Sequence, residues 1–79
     1  MDDKFLTLFA ELLEMNENMP ALNDVFRDYD EWNSLAYLSL IAMIDEEYDV
    51  QIEGNEFKNL ITVGDIIDAI KIKSYKNAI

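Results

Sequence analysis

The stretch Ser34-Leu35-Ala36-Tyr37-Leu38-Ser39-Leu40-Ile41-Ala42-Met43-Ile44-Asp45-Glu46-Glu47-Tyr48 decides the fold, because its apolar residues recur at helical spacing on two separate sides. At about 100° per residue, Tyr37, Leu40, Ile41, Ile44 and Tyr48 share one face, as a core stripe does. Leu35, Leu38 and Ala42 lie on nearly the opposite face, bordered by Ser39, Asp45 and Glu46. Either this helix is central and buried all round, or its second stripe is exposed as a contact surface, as charge-edged apolar patches usually are. A helix from about Ser34 to Tyr48 is expected. Asn33 or Ser34 would cap it, since a side-chain oxygen there accepts from a free backbone N–H.

Working outward, Phe5, Leu8, Phe9, Leu12 and Leu13 recur at three- and four-residue spacing and predict a helix from about Asp3 to Met15. Asp2 and Asp3 sit where carboxylates favour a helix N-terminus. Asn16, Asn18 and Pro20 break the pattern. Residues 16–33 then form a connection too long to be featureless, tied down by Leu22, Val25, Phe26, Tyr29 and Trp32, with a helical turn near Asn23 to Arg27.

Beyond Tyr48, Asp49 to Asn55 reads as a polar break with Val50 and Ile52 turned inward, and Glu56 to Leu60 as one short helical turn. Thr62-Val63-Gly64-Asp65 resembles a capping box with Asp in place of Glu or Gln. A last helix follows to about Lys73, with Val63, Ile66, Ile67 and Ile70 inward and Lys71, Lys73 and Lys76 opposing the negative end of its dipole. The expectation is an all-α protein, a small four-helix bundle of three main helices and one short one, with residues 1–79 as one domain.

Composition narrows the function. A chain of 79 residues buries only about 60% of the surface it exposes when unfolded, yet 51% of it is hydrophobic, enough for a compact core. It has no histidine and no cysteine, so the usual bases and nucleophiles near neutral pH are missing, and catalysis is not expected. The net charge is -11, which repels a phosphate backbone and an anionic membrane and favours partners with basic patches. No apolar run approaches the ~20 residues of a bilayer span, and Met1-Asp2-Asp3-Lys4 lacks a signal-peptide pattern. A cytoplasmic monomer is expected, with neither nucleic-acid nor membrane partners.

The acidic charge is concentrated. From Asp28 to Phe57 stand Asp28, Asp30, Glu31, Asp45, Glu46, Glu47, Asp49, Glu53 and Glu56, with no basic residue among them. Most charge runs are solvated faces. Beside an apolar stripe, however, a one-sided field suits fast docking to basic partners and favours the exposed arrangement of the second stripe. Asp28-Tyr29-Asp30 opens like a calcium loop, but Trp32 replaces a third oxygen ligand, Asn33 the glycine and Ser39 the closing glutamate, so no metal site is expected.

A serine before an apolar run is most often a helix cap. Here its setting, Trp32-Asn33-Ser34-Leu35, resembles the D-S-L attachment motif of the acyl carrier protein family. So do the downstream segments Leu40-Ile41-Ala42-Met43-Ile44-Asp45-Glu46-Glu47-Tyr48 and Leu60-Ile61-Thr62-Val63-Gly64-Asp65-Ile66, and the resemblance covers essentially the whole chain. It implies 4′-phosphopantetheine attached to Ser34 by a phosphopantetheinyl transferase, with acyl or aminoacyl groups carried as thioesters. It also implies a partner surface comprising Asn33, Leu35, Leu38 and Ala42 with Asp45, Glu46, Glu47 and Glu56. The partners would be acyl-loading and acyl-consuming enzymes with basic docking patches. Acyl chains could lodge among core residues such as Leu40, Ile44 and Ile61.

Two departures from the family pattern bear on partners. Asn33 replaces the family's aspartate, keeping the cap but losing a charge-assisted contact. Ala36 and Ser39 stand where many members carry acids. These differences suggest a partner set unlike that of fatty-acid synthesis, as in a specialised biosynthetic pathway, with fatty-acid and secondary-metabolite biosynthesis both left open. The rival reading is a carrier-like acidic module that is never modified and binds a basic protein through the same face. A small carboxylate-based enzyme is the weakest alternative.

Overall fold

A computed structural model describes residues 2–15 and 18–77, with side chains as far as residue 74. Among the described residues are four α-helices: α1 (Asp2–Leu12), α2 (Ser34–Tyr48), α3 (Gly54–Phe57) and α4 (Val63–Asn77). The expected all-α bundle of three main helices and one short one is what the chain forms. One core joins them. Phe5 and Phe9 of α1, Leu40 and Ile44 of α2, and Val63, Ile66 and Ile70 of α4 are wholly buried, with Val50, Ile52 and Phe57 closing the α3 side.

Helix α1 stops three residues earlier than its apolar spacing suggests. Glu14 takes a left-handed conformation, φ 58°, and the chain closes a Schellman motif. In it the Met15 N–H donates to the Ala10 carbonyl at 2.9 Å and the Glu14 N–H to the Glu11 carbonyl at 3.1 Å. Glycine usually marks this position, so a glutamate there hid the stop. Of the expected breakers, Asn18 and Pro20 lie in the connection, while Asn16 is outside the described residues.

The long connection is held differently from the expectation. Phe26 is fully buried in a 3-10 turn, Phe26–Asp28, and Tyr29 and Trp32 pack against the core. Leu22 and Val25, expected to point inward, are instead exposed, at 43% and 38%. Their segment is fastened through its main chain, which leaves their side chains no inward role. The Val63 N–H donates to the Asp24 carbonyl at 3.0 Å and the Gly64 N–H to the Leu22 carbonyl at 2.9 Å. A Cβ at position 64 would sit 3.1 Å from that Leu22 oxygen, which explains a glycine in the first turn of a helix. Asp24 stiffens the loop further, accepting from the Ala21 N–H at 3.0 Å and the Tyr29 hydroxyl at 2.7 Å. Burial and then that hydrogen bond push the Tyr29 phenol upward, so it stays a donor.

The capping box before α4 forms as expected. Asp65 N–H donates to Thr62 Oγ1 at 3.1 Å, and Thr62 N–H to Asp65 Oδ2 at 3.0 Å. The Thr62 and Ile61 N–H groups hold the Asp65 carboxyl below the usual carboxylate range. That stabilisation is present above the ordinary aspartate pKa and is lost as pH falls through the lowered one. Helix α3 begins two residues before the expected Glu56, and residues 58–60 continue as turns rather than helix.

Helix α4 runs to Asn77 because no Gly or Pro follows Lys73 to stop it. Lys71 and Lys73 are therefore not in its last turn, where the dipole acts. Instead they join helices, Lys71 pairing with Asp2 at 3.3 Å and Lys73 with Glu56 at 2.8 Å. The Lys76 side chain lies outside the described ones.

Glu14 has no side-chain partner among the described residues, so replacing it removes only the left-handed strain. Glu14→Gly should raise the unfolding free energy by about 1 kcal/mol, the usual left-handed penalty less glycine's greater unfolded-state entropy. Urea denaturation measures it, and an unchanged or lower midpoint would contradict the assignment.

Candidate functional site

Asn33 is the residue on which the site is built. Its extended backbone, φ −157°, carries the chain into α2, and its Oδ1 accepts the Ala36 N–H at 2.8 Å. Asparagine therefore does the capping, and the next residue, Ser34, is released from it. Ser34 is exposed at the first position of α2, and among the described residues nothing hydrogen-bonds to its side chain. A hydroxyl held at the edge of a rigid helix and open to solvent is accessible to an enzyme that would modify it.

The second apolar stripe of α2 is exposed. Leu35 is 72% and Leu38 61% accessible, and Ala42 is exposed beside them. Asp45 and Glu46 flank the stripe, exposed and without an ion pair among the described residues. Ala36 is buried, and Ser39 is half-buried, so neither of these uncharged residues removes charge from the exposed stripe.

Two of the acids read from the sequence stand elsewhere. Glu47 is nine residues from Leu38, about half a turn around the helix, and faces α1, where it pairs with Lys4 at 3.2 Å. Glu56 lies in α3, paired with Lys73, and its Oε1 accepts the Glu53 N–H at 3.4 Å. The structure thus aligns Leu35, Leu38, Ala42, Asp45 and Glu46 along one exposed side of α2 that begins at Ser34, and sets Glu47 apart on the α1 side. Leu40 and Ile44 are fully buried, whereas Ile61 is 55% exposed and does not join them in the core. Among the described residues no group of three or more acids could hold a metal ion.

A feature the sequence reading missed lies on the other side of Ser34. Arg27 donates to the Leu60 and Phe57 carbonyls, the latter at 2.9 Å, and its guanidinium lies over the rings of Phe26 and Phe57 at 4.7 and 5.2 Å. It is the only basic residue between Lys4 and Lys58, which is the one sequence signal that could have singled it out.

The family model described as "Phosphopantetheine attachment site" matches residues 3–70. This chain belongs to the acyl carrier protein family. An acyl carrier protein of Clostridium perfringens is 30% identical over 70 residues, which span 89% of this chain and 92% of that protein. One of Acidothermus cellulolyticus is 33% identical over 73 residues, 86% of each chain. The fold matches the solution NMR structure of a holo acyl carrier protein from Geobacter metallireducens, with a TM-score of 0.83 at 22% identity, over 96% of this chain and 87% of that one.

As in the rest of the acyl carrier protein family, the chain is a carrier rather than an enzyme, and its prosthetic group is covalently attached 4′-phosphopantetheine. The residues present fit such a group: an unbonded, exposed hydroxyl on a fixed helix start supplies an attachment point that needs no rearrangement. Among the described residues, no helix is long and apolar enough to cross a membrane.

Asn33→Ala should destabilise the protein by about 1 kcal/mol by removing the cap, while Asn33→Asp should hold stability within a few tenths. Thermal unfolding of both variants checks this. Equal loss in both would mean that the amide itself, rather than its capping oxygen, holds the helix start.

Proposed function

We propose that residues 1–79 act as one carrier domain in which Ser34 Oγ holds the 4′-phosphopantetheine arm. The domain would present acyl or aminoacyl groups, borne as thioesters on the arm's thiol, to enzymes of a biosynthetic pathway. The observation that carries this reading is the Ser34 side chain itself, exposed, unbonded and first in α2. In the loading step Ser34 Oγ attacks the β-phosphorus of coenzyme A. A new P–O bond forms, the bond to 3′,5′-ADP breaks, and the serine proton passes to a base. The chain has no histidine or cysteine to be that base, so the phosphopantetheinyl transferase supplies it. The thiol that later accepts the acyl group comes from the arm, since the polypeptide has none.

The partner surface follows from the same helix. Leu35 and Leu38 offer apolar area to bury, each leucine worth roughly 1.5–3 kcal/mol if fully covered, less the cost of association. Asp45 and Glu46 supply an unpaired field at its edge that steers basic partners. Asn33 adjoins the attachment point and offers an amide to the transferase where a carboxylate would have met a basic residue. Glu47 and Glu56, engaged by Lys4 and Lys73, contribute less to that field. The need for coenzyme A in the loading step is what supports a cytoplasmic location in this reading.

Incubation with coenzyme A and a broad-specificity transferase should add the mass of one arm, and Ser34→Ala should abolish the gain. No gain with any transferase, while binding to a basic partner persists, would leave the chain as an unmodified interaction module.

Glu46→Lys should slow association with partner enzymes about tenfold at low salt, with the difference shrinking as salt screens the field, and unfolding should stay within about 0.5 kcal/mol of the parent. Stopped-flow association rates test it. Rates indifferent to both the substitution and the salt would remove the acids from recognition.

A further inference from the structure

We propose that the cleft beside Ser34 seats the first part of the attached arm, with Arg27 against its phosphodiester and the rings of Trp32 and Tyr37 against its gem-dimethyl carbon. The inference rests on Ser34 being the attachment point. The cleft, about 380 Å³, is lined by Arg27, Trp32, Asn33, Ser34, Tyr37 and Phe57, so the hydroxyl that would carry the arm is part of its wall.

Charge selects the phosphate end. Attaching a phosphodiester adds a further negative charge to a chain already at -11, so it is favoured on a wall that carries a cation and no acid. Arg27 is the one charged residue lining this cleft. It makes no ion pair among the described residues, and two of its N–H groups are taken by the Phe57 and Leu60 carbonyls. A guanidinium has five N–H donors, so three remain for an anion, and its orientation is already fixed by those two bonds and by the rings of Phe26 and Phe57. Little side-chain entropy is left to lose when the phosphate meets it.

The aromatic floor selects the next part of the arm. Beyond its phosphate the arm has a carbon bearing two methyl groups, an apolar unit followed by amides. Trp32 stacks on Phe57 with centroids 6.0 Å apart and planes 11° from parallel, and Tyr37 meets Phe57 edge-on at 5.0 Å. Trp32 and Tyr37 are only half-buried, so apolar ring surface remains for the methyl groups to cover. An arm seated this way is held close to the protein between encounters rather than swinging freely, and a partner that binds it better must draw it out.

Trp32 is the sole tryptophan, which makes the cleft directly observable. Conversion of apo to holo protein, verified by mass, should shift Trp32 emission to shorter wavelength. Nuclear Overhauser effects should appear between its indole protons and the methyl protons of the arm. In holo Arg27→Gln the phosphorus-31 line of the phosphodiester should move away from its wild-type position toward that of a free pantetheine phosphodiester. If the mass gain occurs but emission is unchanged and no such Overhauser effect appears in the unaltered protein, the seat is overturned and the attachment at Ser34 stands. An Overhauser effect with an unmoved phosphorus line in folded Arg27→Gln overturns the role of Arg27. Absence of the mass gain overturns attachment itself, and the seat with it.

Discussion

The buried ring of Phe26 is the contact on which the rest of the molecule depends. It lies wholly inside, its centroid 5.0 Å from Trp32 and 5.4 Å from Phe57, midway along a connection that would otherwise run loose around the bundle. Ordering one backbone residue costs about 1–2 kcal/mol, so a long crossover folds down only if it brings large apolar surface with it. Phe26 does so, contributing roughly 1.5–3 kcal/mol by its own burial, and it draws Trp32 onto Phe57. One residue after Trp32, Asn33 begins α2. The position of the helix start, and hence of Ser34, is fixed by aromatic packing two turns of chain away.

Helix α2 divides its two apolar stripes between different tasks. The stripe centred on Leu40 and Ile44 is spent on the fold, and the one centred on Leu38 is left open to solvent. This separation is possible because α1 and α4 cover only part of the helix in a domain of this size. The ion pairs follow the same division. Lys4, Lys71 and Lys73 answer acids that lie between helices, and each such exposed pair is worth at most about 1 kcal/mol. Among the described residues, Asp45 and Glu46 beside the open stripe receive no such partner.

Much of this was legible in the chain. The approximate extent of helix α2 was readable because its apolar spacing runs between a capping side chain and a polar break, although Asn33 and Ser34 stood equally open as the cap. The box at Thr62 and Asp65 was readable for the same reason. The end of α1 was not, since a glutamate occupies a left-handed position that offers no composition signal. Leu22 and Val25 misled because hydrophobicity suggests burial, while their segment is held by hydrogen bonds of the main chain, which side-chain identity does not encode. Within the site, helical angle set out the second stripe but left its burial open, and only the one-sided acidic charge beside it favoured exposure; the same angle would have set Glu47 apart from it. Arg27 stood out only as an isolated basic residue, and its contacts were unreadable because its partners, Phe57 and Leu60, are some thirty residues distant in sequence.

An open leucine stripe on a small protein carries a hazard, since the nearest matching apolar surface in a concentrated solution belongs to another copy of itself. Stripe-to-stripe pairing about a two-fold axis would press the Asp45 and Glu46 of one molecule toward those of the next, and neither acid has an ion pair among the described residues. On the proposed reading, the acids that would single out a basic enzyme also act as a colloidal guard, opposing self-association of the leucines.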